Sequence, residues 1–375
     1  MKKIQMVDLQ TQYQHIKQDI DAGIQEVIEA AAFIKGPKVT AFQTHLEAYT
    51  GAKHVITVGN GTDALQIALM GLGLKPGDEV ITPTFTFIAT AEVVALLGLT
   101  PVVVDVDWDT MNMDVDAVRR AITPRTKAIV PVHLFGQCAN MEELMKLAKE
   151  HHLCIVEDAC QAIGARYTFS NGESKQAGTM GDIGCTSFFP SKNLGCYGDG
   201  GAIFTNNDEL AARMRAIANH GMVVRYHHDM IGVNSRLDSI QAAVLDAKLP
   251  HLDAYITARQ QAAAYYDKAF ANHPKILVPG HQKNSTHVFH QYTLRVVGYD
   301  RDRLREQLSE RGIPAMIYYP VPLHQQKAYL DSRYKDGDFP VAERLAGCVL
   351  SLPMHTELDE EQLNYITSNI LEILK

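Results

Sequence analysis

TPVVVDVD (residues 100–107) and KAIVPVHLFG (127–136) flank the helical run DVDAVRRAI (114–122), and that succession decides the fold. Neither apolar run alternates between apolar and polar residues, so both of its faces must be covered. A strand covered on both faces, then a helix, then another such strand is the repeating unit of a parallel sheet sandwiched by helices. The pattern extends in both directions. Upstream lie KHVITV (53–58), GTDALQIALMGLGL (61–74), DEVITP (78–83) and ATAEVVALLG (89–98); downstream lie MEELMKLAKEHH (141–152) and LCIVEDAC (153–160). From 208 the chain reads as helices, interrupted by Pro250. Beyond Pro274, HVFHQYTLRVVG (287–298) and IPAMIYYPV (313–321) read as strands around the helix RDRLREQLSERG (301–312), and a last helix spans about 359–374. The expected architecture is α/β: a large unit of residues 1–250 with a mostly parallel central sheet, and a smaller C-terminal α+β unit of residues 251–375.

Composition narrows the function. The chain of 375 residues is 46% hydrophobic and carries 43 acidic against 35 basic residues, a formal net charge of -8. A general nucleic-acid binder would show a basic stripe, so no nucleic-acid partner is expected. The six cysteines form no C-x-x-C pair, and a disulfide framework is not expected in so long and cysteine-poor a chain. The start MKKIQMVDLQTQYQ (1–14) lacks the apolar segment of a signal peptide, and no run approaches the length of a membrane span. The expectation is a cytoplasmic protein without a membrane partner.

Ligands of open α/β sheets bind beyond the carboxyl ends of the strands, and the distinctive residues fall at such ends. GNGTDAL (59–65) follows a strand and opens a helix at about Thr62, read here as the cap; free N–H groups there suit a phosphate. No G-K-[ST] follows, which excludes an ATPase P-loop. IVEDACQAIGA (155–165) puts Glu157, Asp158 and Gln161 at the end of an apolar strand, where a carboxylate needs a positive or donor partner. TPTFTFIATAE (82–92) offers an aromatic. SFFPSKNLGCYGDGGAIFTN (187–206) sets one lysine, Lys192, between a strand end and a glycine-dense turn. A phosphate cradle, a strand-end carboxylate, an aromatic and a loop lysine together match the needs of pyridoxal 5'-phosphate: an amine to bond its aldehyde, an acid for its ring nitrogen and amides for its phosphate. His227 and His228 are adjacent and cannot easily share one ion, so no metal site is expected.

On these motifs, with GVNSRLDSIQAAVL (232–245), the sequence resembles the DegT/DnrJ/EryC1/StrS family of sugar aminotransferases over essentially the whole chain. The resemblance implies a fold-type I pyridoxal-phosphate transferase, like aspartate aminotransferase. It implies that Lys192 carries the cofactor, Asp158 pairs with the ring nitrogen, Gln161 lies beside the ring hydroxyl and Phe87 stacks on the ring. Gly61, Thr62 and Ser187 would hold the phosphate. Asn234 would reach it from the partner subunit of a homodimer with shared sites, and Arg236, Tyr319 and His324 would contact the nucleotide sugar. Lysine rather than histidine at 192 favours transamination over sugar dehydration.

Within the family, DLQTQYQHIKQDIDAGI (8–24), RYHHDMIGVNSRLD (225–238) and SLPMHTELD (351–359) resemble members that aminate C3 of UDP-2-acetamido-2-deoxy-3-oxo-glucuronate for O-antigen synthesis, with glutamate as donor. The chain departs from them at Tyr318 and in a longer segment 168–182. Aminotransferases for dTDP-3-keto- or GDP-4-keto-deoxyhexoses, and a non-catalytic regulatory relative, are the alternatives.

Overall fold

The computed structural model describes residues 3–375; Met1 and Lys2, which begin the stretch read against a signal peptide, lie outside it. Its strands in chain order begin with β1 (His54–Val58), β2 (Glu79–Pro83), β3 (Thr100–Val104), β4 (Thr126–Ile129) and β5 (Cys154–Asp158). They continue with β6 (Arg166–Thr168), β7 (Ser174–Gln176), β8 (Ile183–Ser187) and β9 (Gly201–Thr205). β6 and β7 pair with each other, and the other seven form one sheet in the order β1-β9-β8-β5-β4-β2-β3. β9 is antiparallel to both of its neighbours, while β8, β5, β4, β2 and β3 are mutually parallel. The fold is α/β with a mostly parallel central sheet, as the unalternating apolar runs require.

Both sheet faces are covered. Phe42, Leu46, Val104, Ile129, Leu144 and Leu245 belong to one buried cluster, and Ile56, Leu65, Val80, Val130, Val156 and Met214 to another. Two sequence expectations change. KAIVPVHLFG is not one strand: β4 ends at Ile129, Val132 makes a single bridge to Asp158, and Leu134–Gly136 forms a 3-10 turn. Pro131 has no N–H to continue the ladder. IPAMIYYPV is not a strand either. Only Met316 bridges, to Ser351, because Pro314 and Pro320 remove donors from the segment.

A second sheet joins β10 (Ile276–Leu277), β11 (Tyr292–Val296) and β12 (Val349–Leu352), all antiparallel. Its core contains Tyr266, Phe270, Leu294, Leu308, Leu350 and Ile366. Pro250 sits in the single turn Leu249–His251, from which the helix Leu252–Phe270 starts. That helix gives Leu252 and Ile256 to the first cluster and Tyr266 and Phe270 to the second sheet's core, so it ties the two together. Among the described residues no helix is long and apolar enough to cross a membrane.

β5 carries two carboxylates in succession, and strand geometry sends them to opposite faces. Glu157, fully buried, accepts from His133 Nε2 at 2.8 Å and from the N–H groups of Gly178, Met180 and Gly181 at 2.8, 2.6 and 2.6 Å. His133 Nδ1 accepts from Ala139 N–H at 3.1 Å, which leaves the ring's proton on Nε2, aimed at the carboxylate. The segment 168–182 is thus a hairpin and turn folded onto Glu157. Glu157→Ala strands four buried donors and should destabilise the protein by on the order of 3–5 kcal/mol. Denaturant unfolding at neutral pH measures this; a loss below about 1 kcal/mol would contradict it.

Candidate active site

Asp158 points the other way, into a cavity of about 630 Å³ at the carboxyl ends of β1, β5 and β8. Its backbone is fixed on both sides, with Asp158 N–H donating to Pro131 O at 2.9 Å and Asp158 O accepting from His133 N–H at 3.0 Å. Its side chain accepts from Thr90 Oγ1 at 2.7 Å and from Cys160 N–H at 3.2 Å. Neither donor is a cation, so a buried carboxylate faces the cavity with accepting capacity to spare.

Lys192 lines the same cavity, in the loop between β8 and β9. The loop is braced from several directions. Lys192 N–H donates to Phe189 O at 2.8 Å, Asn193 Nδ2 to Val288 O at 2.8 Å, and the buried Lys248 Nζ to Gly195 O at 2.8 Å. A Cβ on Gly195 would lie 2.4 Å from Pro190 O, so this turn admits only glycine. Among the described residues no carboxylate pairs with the Lys192 amine. Burial pushes the Lys192 amine below the usual lysine range, against the pull of Cys160 and Asp158. The result is a half-buried lysine whose amine gives up its proton more readily than a surface lysine.

The third side is the start of the helix Gly61–Leu72. Asn60, not Thr62, is its cap: Asn60 Oδ1 accepts from Asp63 N–H at 2.8 Å. Among the described residues the N–H groups of Gly61 and Thr62 have no protein acceptor, which leaves an anion site at the helix's positive end. A Cβ on Gly61 would stand 2.7 Å from Ser187 Cβ and 2.9 Å from Cys160 Sγ, so the cradle exists because residue 61 has none.

Aromatic and amide groups close the space. Gln161 Oε1 accepts from Phe135 N–H at 2.7 Å, and Gln161 Nε2 donates to Tyr319 OH at 3.1 Å. Burial raises the Tyr319 phenol above the usual range, so it stays protonated. The Phe87 ring lies 6.2 Å from that of Tyr319 and is half exposed.

Of the residues singled out in the sequence, the structure brings Lys192, Asp158, Gly61, Thr62, Phe87, Gln161, Ser187 and Tyr319 to one cavity, together with Tyr318. Three lie elsewhere. Asn234 and Arg236 sit on an outer loop, where Arg236 Nε donates to Asn234 Oδ1 at 2.8 Å. His324 is buried, with Nδ1 2.9 Å from Thr84 Oγ1 and Nε2 3.2 Å from Glu343 Oε1. No residue of 168–182 reaches the cavity. Thr86, Thr90 and His290 were not anticipated. Thr90 sits one helical turn beyond Phe87, a spacing that could have flagged it. His290 arrives from the second sheet's side and had no signal. Burial, then the charges of Lys192 and Arg259, push its imidazole well below the usual range, so it is neutral.

The profile described as the DegT/DnrJ/EryC1/StrS aminotransferase family matches residues 14–371. The chain belongs to that family. It is 47% identical, over 99% of both chains, to a Geobacillus stearothermophilus protein named pleiotropic regulatory protein. It is 47% identical to the UDP-2-acetamido-2-deoxy-3-oxo-D-glucuronate aminotransferase of Pseudomonas aeruginosa, over 97% of this chain and 98% of that one. The crystal structure of Streptomyces venezuelae DesV in complex with a ketimine intermediate superposes with a TM-score of 0.95 at 41% identity, covering 100% of this chain and 99% of that one. Other relatives are named for dTDP- and GDP-linked sugars. This aminotransferase is a nucleotide-sugar transaminase, and its cofactor is pyridoxal 5'-phosphate. The cavity suits that cofactor: it is lined by the helix start with the unpaired Gly61 and Thr62 N–H groups, by the Asp158 carboxylate, by Lys192 and by Thr86, whose buried Oγ1 has no partner among the described residues.

In cofactor-free protein, acylation of Lys192 should reach half its limiting rate at a lower pH than acylation of exposed lysines. Asp158→Asn, which removes a charge favouring the ammonium form, should lower that midpoint further. Peptide mass spectrometry across a pH series reads both shifts. A midpoint at or above that of surface lysines would contradict the assignment.

Proposed function

We propose that the enzyme moves an amino group from glutamate to C3 of UDP-2-acetamido-2-deoxy-3-oxo-glucuronate, in the synthesis of a surface-polysaccharide precursor such as O-antigen. The observation that carries this reading is the 47% identity to an enzyme named for that substrate, across nearly the full length of both chains. A second relative, 46% identical, is named as a UDP-N-acetyl-3-dehydro-glucosamine 3-aminotransferase, which supports both the UDP handle and C3.

When bound, the cofactor supplies an aldehyde that bonds amines and a ring that draws electrons from the adjoining carbon. Lys192 Nζ would hold it covalently and would serve as the general base that takes the proton from the amino donor's Cα. A depressed amine pKa suits that work near neutral pH. Asp158 keeps the ring nitrogen protonated, and Thr90 and Cys160 N–H hold its carboxylate in place. Gly61, Thr62 and Ser187 bind the phosphate, Phe87 covers the ring, and Gln161, steadied by Phe135 and Tyr319, meets the ring hydroxyl. In the second half of the cycle the keto-sugar takes the amino group, and Lys192 returns a proton to the sugar carbon.

We also infer a homodimer, with the loop bearing Asn234 and Arg236 entering the partner's cavity. The exposure of Phe33, Ile34, Val223, Val224, Tyr226 and Ile231 supports this, since grouped exposed apolar side chains mark interaction surfaces.

Borohydride reduction of the holoenzyme should fix the phosphopyridoxyl group on the peptide bearing Lys192, and Lys192→Ala should abolish turnover. Asp158→Asn should lower kcat by about two orders of magnitude or more. For the substrate, coupled turnover with glutamate should favour the UDP-3-oxo-glucuronate over its C6-hydroxymethyl analogue and over dTDP-3-keto-deoxyhexoses. A higher kcat/KM for a dTDP sugar would overturn the substrate assignment and leave the transaminase standing.

A further inference from the structure

Ser235 lies between Asn234 and Arg236, and it faces the opposite way. Asn234 is exposed and Arg236 half-buried, whereas Ser235 is 2% exposed. Its hydroxyl is used twice: Oγ accepts from Gly59 N–H at 2.8 Å and donates to Asp63 Oδ2 at 2.6 Å. Both partners belong to the entrance of the helix Gly61–Leu72, and Asp63 itself lines the active-site cavity. On its other side Ser235, with Arg236, Lys35 and Arg215, lines a separate cavity of about 260 Å³. The packing at the knot is close, since a Cβ on Gly59 would stand 3.1 Å from Asp63 Oδ2 and 3.4 Å from Ser235 Oγ. The backbone beneath is fixed as well, by Ser235 N–H donating to Ala218 O at 3.0 Å.

We propose that Ser235 is a positioning residue that sets the Asn234–Arg236 pair at a fixed distance from the phosphate-binding start of its own chain's helix. The inference rests on the dimer reading above, in which that pair serves the partner's cavity. One hydroxyl then joins two sites: the helix entrance it grips belongs to its own chain's cavity, and the side chains it flanks belong to the neighbour's. Without the hydroxyl, Gly59 N–H loses its acceptor and Asp63 its donor, and among the described residues no other side-chain hydrogen bond of 234–236 reaches the helix start. Asn234 and Arg236 bond each other, so they would move as a pair.

Mixed dimers isolate the effect. One chain carries Lys192→Ala with Ser235→Ala; the other keeps Lys192 but carries Asn234→Ala with Arg236→Ala. The single competent cavity then combines an intact Lys192 with a loop that lacks only the Ser235 hydroxyl. Relative to the same mixed dimer with Ser235 intact, KM for the nucleotide sugar should rise about tenfold, the scale of one charge-assisted hydrogen bond. The single-turnover rate of the glutamate half-reaction, in which Arg236 meets no sugar, should fall less than the sugar half-reaction does, and Ser235→Thr, which keeps the hydroxyl, should restore KM. An unchanged KM overturns the inference, as does an equal fall in both half-reactions that Ser235→Thr does not rescue. If the mixed dimer with Ser235 intact is itself inactive although it forms, the shared-site reading fails and the inference falls with it. That outcome is distinct from an active dimer that ignores Ser235.

Discussion

The last two residues of β5 set a constraint that the rest of the site depends on. Glu157 and Asp158 are adjacent, both buried, and each costs several kcal/mol to desolvate if left without partners. Strand alternation separates them. Glu157 meets four donors from His133 and the 178–181 turn, and its demand is met within the protein. Among the described residues Asp158 meets no cation, only neutral donors such as the Thr90 hydroxyl and Cys160 N–H, which leaves accepting capacity toward the cavity. In the proposed function a protonated ring nitrogen would supply the missing partner, and the N–H groups of Gly61 and Thr62 and Lys192 line the same cavity. One side of the strand stores stability and the other holds a place for the cofactor.

Much of this was legible in the sequence because it is local. Unalternating apolar runs between helices require a covered parallel sheet, and in such a sheet GNGTDAL, IVEDACQAIGA and the Lys192 loop fall beyond the carboxyl ends of strands, where ligands bind; the strand order that gathers them was not legible. What failed depended on distant contacts. Thr62 looked like the cap because hydroxyls commonly are, yet Asn60 sits two residues earlier and its Oδ1 accepts from Asp63 N–H. IPAMIYYPV has strand composition, but its prolines forbid a ladder and free it to bring Tyr318 and Tyr319 to the cavity. His290 comes from residues far along the chain, held by the buried Arg259 on the carbonyls of Phe289 and His290, and no local pattern announces that.

Two placements refine the sequence reading. His324 is engaged by Thr84 and Glu343, with no free ring nitrogen. It therefore anchors the segment that follows Tyr319 to the end of β2. Asn234 is exposed and Arg236 half-buried, outside their own chain's active-site cavity, and the proposed dimer would give the pair a use in the partner's cavity. Exposed apolar residues such as Val223, Val224, Tyr226 and Ile231 lie in the chain just before the pair.

The most direct measurement of the central claim is the 15N chemical shift of the ring nitrogen in bound, 15N-labelled pyridoxal phosphate. With Asp158 in place the nitrogen should stay protonated throughout the neutral pH range; in Asp158→Asn it should be unprotonated over the same range. An unprotonated nitrogen in the native enzyme, or the same shift in both proteins, would contradict the pairing on which this account of the site is built.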